Sequence, residues 1–173
     1  MSDLARRYGT SSPRTAELPR AFTLGEFVRG AGLALLWFQP LVAISGVIGS
    51  LSDGGSDVEY AFVIPVAGLH LSVIATVLGS PAAYAIGFAL RRQGRDAAHL
   101  AAFVLYGALV GIVMLAAMGI YGQSELPFPW DATFIYGIPA ALAVALGWWT
   151  TSRLALRKDR ALAAAPRTGT DHR

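Results

Sequence analysis

A single histidine stands in the stretch GLHLSVIATVLGS, residues 68–80, whose other side chains are apolar or small. Ionisable groups inside an apolar span mark function by default, because a charge there is costly to keep. His70 is therefore a candidate ligand- or partner-binding residue. The plainer alternative is a neutral imidazole donating to Ser45 or to a backbone carbonyl freed by a proline, such as that of Ile135. Gln39, next to Pro40, is the second buried polar candidate; its amide needs a partner, and Tyr106 stands at comparable depth. An interhelical hydrogen bond of about 0.6 to 2 kcal/mol accounts for it, and a pore-lining role is the sharper alternative.

Other chemistry is sparse. The chain has no cysteine, which removes disulfides, thiol catalysis and thiolate metal sites. A bis-histidine haem site lacks its second buried ligand, since His99 falls at the inner end of the third apolar run and His172 in the tail. No carboxylate lies within an apolar run, so antiport driven by a buried acid is not supported. Asp53, Asp57, Glu59, Glu125 and Asp131 gather in two loops as an acidic face, but DGGSDVE lacks the ligand spacing of a calcium loop. Hydrolase, zinc-protease and nucleotide-binding motifs are absent. The expectation is a non-enzymatic protein with no cofactor and no metal site.

The elements that must position these residues are four uncharged runs, Gly30 to Ser52, Tyr60 to Leu90, Leu100 to Ser124 and Ala132 to Ser152. Each has the roughly 20 residues that cross a hydrocarbon core of about 30 Å. The 173-residue chain is 54% hydrophobic and 14% charged, against about 25% charged in soluble proteins. All 14 lysines and arginines lie before the first run, between the second and third, or after the fourth. This positive-inside pattern places both termini in the cytoplasm, and it makes the net charge of +3 a topology signal rather than a nucleic-acid footprint. Arginine in place of lysine, with abundant alanine and glycine, hints at a bacterial source. The expected location is the inner (plasma) membrane, with the first helix serving as signal anchor.

The expected fold is all-α, a four-helix transmembrane bundle of two antiparallel hairpins, with helices near 23–51, 60–91, 97–121 and 131–154. Residues 1–22 read as a disordered arm and 155–173 as a basic helix extension and tail. Thr23 and Glu26 have capping-box spacing, with Phe22 and Phe27 as a hydrophobic staple. Pro40, Pro81 and Pro139 fall inside helices and predict bends. Trp130 reads as an interfacial residue and Asp131 as the cap of the fourth helix.

Inside lipid, helices associate where small residues let backbones approach. The second run has Gly68, Ser72, Thr76 and Ser80 at fourfold spacing; the third has Gly107 and Gly111; the fourth has Gly137, Ala141 and Ala145; the first offers Ser45 and Gly49. At about 100° per residue, His70 lies about 200° from Gly68 and looks away from that ladder, toward lipid, a second neighbour or another chain. If the second helix crosses headgroup to headgroup, His70 lies about 5 to 7 Å inside the outer boundary of the hydrocarbon. The leading expectation is an accessory or structural subunit that uses its helix faces and its cytoplasmic basic helix to dock a membrane-protein partner or itself. A small oligomeric transporter or permease subunit is the alternative, and a quinone- or haem-binding anchor using His70 comes third.

Overall fold

The computed structural model describes residues 12–52, 58–121 and 133–164. Among them the chain forms four α-helices: α1 (Leu24–Ser52), α2 (Val58–Leu90), α3 (Asp96–Tyr121) and α4 (Ile138–Ala164), the last preceded by a π-helical turn at Thr133–Gly137. No strand occurs among the described residues. By length and composition, α1, α2 and α3 are able to cross a membrane, over Leu24–Leu51, Pro65–Leu90 and Asp96–Ala116. In α4 the apolar part runs on into the charged segment SRLALRKDR without a break.

Cross-helix contacts fix the topology. Gly68 of α2 faces Val42 and Phe38 of α1, while Gly87 faces Phe22 just ahead of α1. Rising residue numbers on one helix meet falling numbers on the other, so the pair is antiparallel. The same logic makes α3 and α4 antiparallel, because Gly107 meets Ala140 and Ala141 while Gly111 meets Gly137. It also sets α4 against α1, where Gly30 faces Thr151 and Ala34 faces Gly147. The bundle runs up, down, up, down, with Phe38, Val42 and Ala143 forming its buried core and Leu41, Tyr136 and Ala140 packed around it.

Helix α1 begins as the local sequence dictates. The Thr23 amide donates to the Glu26 carboxylate at 3.0 Å and the Glu26 amide donates to Thr23 Oγ1 at 3.2 Å. These bonds satisfy donors that the first helical turn leaves without partners. The rings of Phe22 and Phe27 lie 6.3 Å apart, and Tyr84 of α2 packs edge-on against both, at 5.4 and 5.2 Å. The staple thus fastens α1 to α2 as well as setting its own entry angle.

The π-helical turn lies directly ahead of Pro139. Proline has no amide hydrogen, so a carbonyl of the preceding turn loses its ordinary partner, and the backbone widens there instead of continuing as α-helix. One consequence is contact: the turn sets Gly137 against Gly111 and Tyr136 against the core.

The arm expected to be disordered over residues 1–22 has a defined path from Ser12 onward. Turns at Thr15–Leu18 and Leu18–Ala21 are closed by backbone hydrogen bonds, and the Arg20 amide donates to the Arg91 carbonyl at 3.1 Å. Arg14 bridges Glu26 of α1 and Asp159 of α4, at 3.0 Å each, and Arg20 pairs with Asp96 at the start of α3. Polar composition alone points to disorder, whereas two arginines find carboxylates on three different helices.

Candidate functional site

A cavity of about 200 Å³ runs up the middle of the bundle. Helix α1 contributes Ala31, Ala34 and Leu35; α2 contributes Ser72, Thr76, Ala83 and Gly87; α3 contributes His99, Phe103 and Tyr106; α4 contributes Trp148 and Thr151. At the basic end Arg14, Arg20 and Glu26 stand at its mouth, so the folded arm lies across the opening. The lining between is mostly alanine, glycine and aromatic rings.

The cavity exists because α2 and α3 do not meet as α3 and α4 do. A Cβ on Gly107 would lie 2.6 Å from the Ala140 carbonyl oxygen, and one on Gly111 would lie 2.7 Å from the Gly137 Cα, so these backbones touch. Between α2 and α3, side chains fill the distance: Tyr106 reaches across and donates its hydroxyl to the Gly79 carbonyl at 2.6 Å, and Phe103 lies near Gly87. Small residues on α2 therefore make room. Ser72, Thr76 and Ser80 line the cavity, and of the expected ladder Gly68 packs directly on α1.

His99 is the most enclosed polar residue among the described residues, 2% exposed. Its ring stacks parallel on Trp148, centroids 5.0 Å apart and planes within 8°, and Phe103 extends the stack at 6.0 Å from the indole. Nε2–H donates to the Gln93 carbonyl at 2.9 Å. The other nitrogen, Nδ1, is buried without a hydrogen-bond partner, and so is the hydroxyl of Thr151.

The sequence-predicted residues are dispersed. Gln39 does not pair with Tyr106: its amide donates to Ser72 Oγ at 3.1 Å and to the Leu35 carbonyl at 3.3 Å. The two residues share a depth, but Gln39 turns toward α2 while Tyr106 spans to Gly79, where glycine leaves its carbonyl accessible. His70 is exposed, and its Nδ1–H donates to the Val66 carbonyl of its own helix at 2.9 Å rather than to Ser45 or Ile135. Ser45 likewise turns inward along its own helix, to the Leu41 carbonyl at 3.1 Å. Helix α1 makes its close approach at Gly30 and Ala34, against Gly147. Asp53, Asp57, Glu125 and Asp131 lie outside the described residues, and of Glu59 only the helical backbone is described.

The residues that sequence reasoning missed are His99, Trp148, Thr151 and Arg14. One signal was available: His99, Phe103, Gly107 and Gly111 form a single i, i+4 row on α3, which places the histidine on the face that packs inward.

The fold and the cavity define an apolar helical bundle of the membrane class. Beyond that class, comparison with protein families, curated proteins and solved structures finds no match to the chain.

Proposed function

We propose that the chain is a non-enzymatic accessory subunit of the bacterial inner membrane, with four spans and both termini cytoplasmic, that docks a partner membrane protein at its basic end. The observation that supports this reading is the construction of that end. Ion pairs through Arg14 and Arg20 hold the arm against α1, α3 and α4. Meanwhile Arg92, Arg157, Lys158 and Arg160 stay exposed, with no ion-pair partner among the described residues. A fixed surface carrying unpaired cations suits an acidic cytoplasmic segment, to which it offers attraction and orientation.

Reversing Arg157, Lys158 and Arg160 to glutamate tests the reading. The expected result is loss of a stoichiometric companion when the protein is purified from native membranes in mild detergent, with the variant still folded and monodisperse. Wild-type protein that runs alone as a monomer refutes it. The cavity favours a second reading, a small oligomeric transporter, which predicts a homo-oligomer that moves solute in liposomes.

A further inference from the structure

We propose that the central cavity is a binding site for a neutral hydroxylated aromatic amphiphile, with its hydroxyl on His99 Nδ1 and its ring among Trp148, Phe103 and the small residues of α2. The site is separate from docking at the basic end and does not depend on it.

The chemistry of the ligand follows from what the cavity leaves unsatisfied. A carbonyl oxygen only accepts, so the bond to Gln93 puts a hydrogen on Nε2, and Nδ1 of the neutral ring then presents a lone pair. That lone pair is buried and has no partner, an arrangement native structures usually avoid. Stacking on Trp148 holds the ring in place. Thr151 lies one helical turn beyond Trp148, and its hydroxyl is also buried and unpartnered. The adjacent Thr150 shows the contrast, since its hydroxyl donates to the Leu146 carbonyl at 2.6 Å. His99 and Thr151 both belong to the lining of the cavity. A lone pair and a hydroxyl buried on them suit a ligand that donates to the first and, with a small turn of the side chain away from Gly30, exchanges a hydrogen bond with the second.

The walls set the rest. The charged lining residues stand at the mouth, with Arg14 paired to Glu26, so an ionised head would find no counter-charge further in. Aromatic faces at Trp148 and Phe103 favour a ring. The volume of about 200 Å³ exceeds the roughly 150 Å³ that holds benzene in an engineered apolar cavity, which sets the head at one or two rings. Any apolar tail leaves toward lipid between α2 and α3, where side chains rather than backbones bridge the helices.

The test is calorimetric titration of the full chain in lipid nanodiscs, corrected with empty nanodiscs, using 1-naphthol and 1-methoxynaphthalene. The methoxy compound keeps the rings and loses the donor. Saturable binding of 1-naphthol, tighter than the methoxy compound by about tenfold, is expected for one hydrogen bond to a buried acceptor. His99→Phe keeps a ring on Trp148 and should abolish the preference, and Ala83→Phe should block both ligands by filling the cavity from α2. Equal affinities for the two probes, a preference that survives His99→Phe, binding that survives Ala83→Phe, or no saturable binding because the cavity holds water only, would each overturn the proposal. If His99→Phe does not fold, the wild-type comparison and Ala83→Phe decide the matter.

Discussion

On its α4 side, helix α3 sets Gly107 and Gly111 against backbone atoms; on its α2 side, Tyr106 and Phe103 reach over a gap to Gly79 and Gly87. Both flanks use glycine, and the outcomes are opposite. Where small residues face small residues, the helices close until backbones touch. Where a glycine faces a long side chain, it accepts the tip of that side chain and the helices stay apart. A ladder of small residues read from one strand of sequence is thus ambiguous until its partner is known.

The comparison breaks most visibly at Gly107. A valine there meets Ala140 and Ala141 backbone that cannot swing aside, and the expected loss is about 3 kcal/mol, at the upper end for overpacking. Reversible unfolding in mixed micelles measures it. On the other flank, Gly79→Ala pushes against the far end of a movable side chain, so the cost is mainly the Tyr106 hydrogen bond, about 1 kcal/mol. Tyr106→Phe should cost about the same, and the double variant should cost little more than either alone, because both remove one interaction. Additive losses in that cycle would show that Tyr106 and Gly79 are not coupled. Arg14→Ala leaves Glu26 and Asp159 without their shared partner at a partly screened site; a loss of about 1 kcal/mol is expected, read more directly as faster tryptic cleavage within residues 12–22. The smallest effect belongs to His70→Ala, within about 1 kcal/mol, since the ring bonds only to its own helix. A larger loss of folded protein would place a neighbour against it.

Much of the fold was legible because the governing signals are local. Charge-free runs give the helices, the Thr23–Glu26 spacing gives the start of α1, and Phe22 with Phe27 gives its staple. The candidate site was less legible for a geometric reason. Position along a helix gives height, as it did for Gln39 and Tyr106, but height does not say which neighbour lies across. His99 stands next to charged residues, a position that signals the end of a span, although its row through Phe103 and Gly107 leads inward. The Arg14–Asp159 pair joins residues near the two ends of the chain, and no periodicity links such distant partners.

That pair also orders events in time. Arg14 is synthesised before α1, yet one of its two carboxylates lies near the end of α4. Because the ribosome makes the N-terminal part first, the arm has no Asp159 to hold until most of α4 has been made. Closure of the basic mouth is therefore completed late in biosynthesis, and a chain lacking the last turns of α4 would keep the Arg14–Glu26 and Arg20–Asp96 pairs but lose the tie from the arm to α4.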